Sequence, residues 1–264
     1  MKKVLLASTA LLLAGQAFAA DIPVKALRMA APVAYSWSSC YVGGHVGAGW
    51  NRTSFSETDG FVDTIPVGAS VGANGGGGAL GGGQVGCDYQ FANHWVIGFA
   101  GDISWANIQG DGVDPFFGGK NGNPLTFSSK TDGLASATGR IGYAWDRVLV
   151  YGKGGVGWAH DKYAITNAAF IGGGLCGGGN GFLGIGPCNG SASATRVGWT
   201  AGVGIEWAFA NNWSTFVEYD HYGFDSRNLG FTAPFSIGPG FYNVKQDIDV
   251  VKVGLNYRFG MFGR

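Results

Sequence analysis

Histidines, serines and carboxylates are where catalysis would begin. His45, taken with Ser214 or Asp220, has the residue types of a base, a nucleophile and an orienting acid. Nothing in their spacing requires such a group. His45, His94, His160 and His221 occur singly and do not fall at metal-ligand spacing. The glycine runs Gly75 to Gly83 and Gly172 to Gly186 contain no phosphate-loop Gly-Lys-Ser/Thr and open no predicted helix, so both read as flexible loops. Catalytic, cofactor and metal sets are therefore expected to be empty. What remains is a set of charges with a common feature: Asp88, Asp102, Glu206, Glu218 and Asp220 against Arg140, Lys153, Arg196, Lys252 and Arg258.

Each of these ten falls on the polar phase of an alternating segment. The clearest is the last. Val251, Val253, Leu255, Tyr257 and Phe259 are apolar, while Lys252, Gly254, Asn256 and Arg258 between them are polar or bare. Period 2 means a strand with one oily and one wet face. Seven earlier segments repeat it: 41–50, 80–91, 95–105, 134–144, 148–158, 195–207 and 213–222. Five acids against five bases on the wet faces predict mutual pairing, since unpaired buried charge is costly. Glu218 and Lys252, on neighbouring strands at similar height, are expected to pair. Gly254, also on the wet phase, is expected to accept a serine cheaply.

Links between the segments alternate in length. Residues 92–94, 145–147 and 208–212 are short; 51–79, 106–133, 159–194 and 223–247 are long. Short turns on one side and long loops on the other fit an eight-stranded antiparallel up-and-down transmembrane β-barrel, all-β, with short turns in the periplasm. Trp95 and Trp105 bracket one strand. At ~3.3 Å per residue and a tilt near 40°, they stand about 25 Å apart in height, that of an apolar band. Trp50 and Trp158 end other strands at the outer border, and Trp207 and Trp213 flank a short turn, so the six tryptophans predict two interfacial girdles. A soluble sandwich or lipocalin-like barrel would not sort aromatics to strand ends.

The start of the chain supplies the setting. Lys2 and Lys3 precede an apolar run from Val4 to Ala14, and Ala17-Phe18-Ala19 is a small-x-small cleavage pattern. The expected organisation is a signal peptide over 1–19, a short periplasmic segment over 20–36 and a barrel over 37–264. Removing Lys2 and Lys3 leaves 15 basic and 17 acidic residues, so nothing argues for nucleic acid. The four cysteines suit an oxidising compartment. Cys40 and Cys87 lie on the oily phase of adjacent strands, and Cys176 and Cys188 share one long loop. Cys40–Cys87 with Cys176–Cys188 is the simplest of three possible connectivities.

The runs 37–49, 81–90, 95–102, 139–146 and 251–259 resemble the small outer-membrane β-barrel proteins of alphaproteobacteria, a porin-like surface-antigen group with OmpA-like membrane-domain architecture. The resemblance covers nearly the whole mature chain and is specific for fold and location. It implies an eight-stranded barrel in the cell outer membrane, with the outer-membrane lipid and the outer-membrane assembly machinery as partners. It also implies an assembly signal in the final strand, met here by Lys252, Gly254, Tyr257 and Phe259. The chain continues past that Phe through Gly260 to Arg264, leaving Phe259 and Phe262 as alternative terminal aromatics. No wall-binding domain follows, so a tethering role is not expected.

These readings favour a structural and surface-interaction barrel, not an enzyme, with its lumen closed by paired charges. A narrow porin or solute/ligand uptake component is the alternative, and a lumen-based lipid-modifying enzyme the third. The sequence names no ligand for the long outer loops.

Overall fold

A half-oily strand needs an apolar medium for one face and paired neighbours for both edges. Closing the sheet on itself satisfies the edges. The computed structural model describes residues 35–58, 67–113, 126–166, 190–231 and 240–260. It has eight strands: β1 (Ser39–Glu57), β2 (Ser70–Gln90), β3 (Trp95–Val113), β4 (Thr126–Trp145), β5 (Val148–Thr166), β6 (Gly190–Trp207), β7 (Trp213–Phe231) and β8 (Gly240–Phe259). They form a closed antiparallel barrel in sequence order. β1 completes the ring against β8, from Cys40↔Phe259 to Glu57↔Tyr242. The tight turns use left-handed backbone at His94 (φ 69°) and Asp146 (φ 49°), residue types enriched there among non-glycines.

The alternation sets which side chains point where. Val42, Val46, Val85, Ile97, Phe99, Ile141, Val203, Val217 and Val253 face outward and are exposed. Their sequence neighbours face inward and are buried or half-buried. The inside is not uniformly polar, however. Apolar layers interrupt it: one around Trp37, Val96, Leu149 and Tyr151, one around Leu80, Ile108, Leu134, Tyr222 and Ile248, and one around Phe55, Phe127, Tyr163 and Val244.

Three expectations need correcting. Every strand, β8 included, reaches well past its expected outer end, and the Gly75 to Gly83 run is part of β2, not a loop. Ladder hydrogen bonds need only backbone, and here the backbones crowd. A Cβ at Gly76 or Gly78 would run into the carbonyl oxygens of Gln109 and Asn107 on β3, so side-chain-free positions fit. Gly254 likewise would not take a serine cheaply. A Cβ there meets the Gly44 carbonyl and two Phe216 ring carbons.

One ladder is shorter than the rest. β6 and β7 pair only from Trp199↔Gly223 to Trp207↔Thr215. β5–β6 pairing continues out to Ile165↔Gly190 and β7–β8 pairing to Phe231↔Gly240. The wall is therefore unzipped between β6 and β7 in its outer part.

Candidate functional site: the filled lumen and the aromatic borders

The ten expected lumen charges all point inward, but they do not form one network. They divide into tiers along the axis. The first tier comes from the even-numbered strands. Asp88 on β2 and Glu206 on β6 face Arg140 on β4 and Arg258 on β8. Arg140 Nε donates to Asp88 Oδ1 at 2.7 Å, and its Nη2 also pairs with Asp88. Arg140 Nη1 reaches Glu206 Oε2 at 3.4 Å. Arg258 bridges the same acids, at 3.0 Å to Asp88 and 2.9 Å to Glu206. Ser214 and Asn256 donate to Glu206 at 2.5 and 2.9 Å. The Tyr41 ring lies 4.7 Å from the Arg140 guanidinium and 5.0 Å from that of Arg258. Two acids and two bases balance, and the remaining polar atoms have partners, as burial demands.

The second tier holds Asp102 on β3, Lys153 on β5, Glu218 and Asp220 on β7, and Lys252 on β8. Lys252 Nζ lies 3.0 Å from Glu218, 2.7 Å from Asp220 and 3.6 Å from Asp102. Lys153 Nζ lies 2.7, 3.0 and 3.9 Å from the same three. The Glu218–Lys252 contact is thus one edge of a five-membered cluster, and the two residues are direct cross-strand partners. Tyr151 Oη donates to Glu218 at 2.8 Å and Ser136 Oγ to Asp102 at 2.5 Å. Three carboxylates here meet two ammonium groups.

Arg196 stands apart from the other nine. Its Nη2 donates to the Val244 carbonyl at 2.5 Å, and its Nη1 to Gln246 Oε1 at 3.5 Å. Gln246 and Thr131 in turn donate to Asp161, at 3.2 and 2.5 Å. Asp161 is fully buried and was missed by the sequence reading. Its signal was available: Ala159, Asp161, Tyr163 and Ile165 continue the inward phase of β5 beyond Trp158.

The imagined catalytic group is not assembled. His45 Nε2 sits 2.7 Å from Ser104 Oγ. Ser214 is committed to Glu206 and Asp220 to the lysines.

Outside, Trp50, Trp95, Trp105, Trp158, Trp207 and Trp213 lie on the outward phase, Trp105 being 72 % exposed. Trp145 and Trp199 join them on the same phase. Trp37 does the opposite. It is fully buried under the short-turn end, its Nε1 donating to the Asp146 carbonyl at 3.0 Å, with the Arg258 guanidinium 4.5 Å from its ring. Its position ahead of the first strand gave no parity to read. In the final strand Lys252 and Gly254 face in, while Tyr257 and Phe259 face out. Cys40 and Cys87, directly opposed on β1 and β2, form a disulfide. The expected Cys176–Cys188 bridge, the Gly172 to Gly186 run and Phe262 lie outside the described residues.

The chain is 31 % identical to the 31 kDa outer-membrane immunogenic protein of Brucella melitensis, over 98 % of this chain and 100 % of that one. It is 27 % identical to the 25 kDa outer-membrane immunogenic protein of Brucella canis, over 98 % and 99 %. Among solved structures it is similar to the outer membrane protein OprG of Pseudomonas aeruginosa, with 11 % identity, a TM-score of 0.46, and 85 % and 98 % of the two chains covered. Residues 7–259 match the outer membrane protein beta-barrel domain; the chain belongs to that family and is a protein of the outer membrane.

Proposed function

We propose that the protein is a closed structural and surface-presenting barrel, with no catalytic role and no conducting path. The observation that carries this is the stacking of the lumen. Charged tiers whose members lie within ion-pair distance alternate with apolar layers from the Trp37 end to the Phe55–Phe127 stack. Eight strands enclose a bore that side chains just fill, and here bulky ones fill it. The ten wet-face charges, together with Asp161, act as that filling rather than as a selectivity filter. The six tryptophans fix the barrel at the two membrane borders. Lys252, Gly254, Tyr257 and Phe259 serve as the motif read by the outer-membrane assembly machinery. The outer loops are then the part that meets the exterior, in keeping with relatives described as immunogenic.

Planar-bilayer recording tests the closure. The folded protein should insert without stepwise conductance. Steady unit conductance that changes on neutralising Asp102 would overturn the reading in favour of a narrow pore.

A further inference from the structure

Lys130 on β4 and Lys162 on β5 are direct cross-strand partners. Like charges set opposite each other destabilise a sheet, so the pair calls for a reason. Asp132 answers for one of them, its Oδ2 lying 2.6 Å from Lys162 Nζ. His160 Nε2 sits 3.9 Å from the other Asp132 oxygen. Lys130 is exposed and makes no ion pair among the described residues. Asp111, near it on β3, forms none with either lysine. Lys130 is therefore the lysine of the pair whose ammonium has no ion pair among the described residues.

Its depth is informative. Lys130, Lys162, His160 and Asp132 all lie on the outward phase. On β5, Lys162 lies four residues beyond Trp158. That is about 13 Å along the strand and about 10 Å in height, just past the aromatic border where headgroups begin. A cavity of about 750 Å³ adjoins the pair, lined by both lysines with Gln109, Ser128, Ser191 and Ser193, and by the Asp111 carboxylate on its β3 side. It reaches β7 at Leu229 and Gly230, across the unzipped β6–β7 seam. Lys130, with Lys162 beside it, supplies charge for a phosphate, and hydroxyl and amide groups supply donors and acceptors for a sugar.

We propose that this cleft binds the phosphorylated sugar headgroup of an outer-leaflet glycolipid, with the phosphate between Lys130 and Lys162. The source is lipid rather than free anion, because the lysines emerge on the phase that carries the acyl-facing residues below. The inference uses the membrane orientation of the barrel but not the closure of its lumen, so a conductance result leaves it untouched.

The test uses the folded full-length protein in zwitterionic detergent micelles. It is titrated with phosphorylated lipid A, with the same lipid dephosphorylated, and with inorganic phosphate. Phosphorylated lipid A should bind, with Lys130→Gln and dephosphorylation each weakening it roughly tenfold. Lys130→Arg should restore binding, and Lys245→Gln, an exposed lysine on β8, should leave it unchanged. Heat-modifiable migration reports whether each variant is folded. Equal affinity for the two lipids, or for wild type and folded Lys130→Gln, would overturn the site. Inorganic phosphate binding as tightly as the lipid would overturn the lipid assignment.

Discussion

Lys252 and Val253 are neighbours in β8 with opposite surroundings. Lys252 is 1 % exposed and has three carboxylates around its ammonium. Val253, one residue on, is 47 % exposed on the outer wall. A water-soluble domain would reverse the two. The contrast recurs at Arg140 and Ile141, at Arg196 and Val197, and at Glu218 and Val217. It teaches that the solvent outside this wall is apolar, and that the charges inside stand within ion-pair distance of one another. A buried ion pair is not by itself a large gain over an apolar core, but half of one is a large loss.

The comparison can be broken first at its inner member. Lys252→Met leaves Glu218, Asp220 and Asp102 with Lys153 as their one close cation among the described residues. Denaturant titration in bilayers should show a loss of about 3–5 kcal/mol. A loss below about 1 kcal/mol would mean that water reaches the tier. At the outer member, Val253→Arg places a charge against hydrocarbon and should cost about 2–4 kcal/mol in the same assay. A neutral result there would mean the outer face is wet. Sharpening comes from the cycle of Lys252→Met with Glu218→Gln. Because the residues are 3.0 Å apart, the double variant should be less destabilised than the sum of the singles, by about 0.5–3 kcal/mol. Additivity would separate the two charges energetically. The smallest effect is expected at Thr138, which is buried and inward-facing with no hydrogen-bond partner for its hydroxyl among the described residues. Thr138→Val should change stability by no more than about 1 kcal/mol, and in the favourable direction. A cost like that of Lys252→Met would show that inward polarity matters in itself, rather than pairing.

Parity is the part of this that was legible in the chain. A strand's period of 2 assigns inside and outside wherever one face is apolar, and so it located the charges, the tryptophans and Cys40 opposite Cys87. The upper strand segments were not legible for the same reason. Beyond the apolar band the outer face no longer needs to be oily, and β6 opens as Gly-Ser-Ala-Ser-Ala-Thr, where the polar residues face out and the phases differ only by small side chains, a reversed and weak alternation. β2 carries glycine on both phases there, which reads as a loop. The tiers were hidden too. Which charges meet depends on how the strands are staggered around the ring, and composition does not encode that. Hence Asp88 joins Arg140 and Arg258, two and six strands away in the chain, while Arg196 joins neither tier. Gly254 failed as a permissive site because its neighbours, Gly44 and Phe216, come from other strands.

The most direct test of the inversion is where position 253 sits. A Val253→Cys variant with Cys176 and Cys188 replaced by serine, and Cys40 and Cys87 held in their disulfide, can be labelled at that one thiol with an environment-sensitive fluorophore and folded into vesicles. The account predicts quenching by lipids brominated along their acyl chains and none by aqueous iodide. Quenching by iodide with no response to the brominated lipids would contradict it.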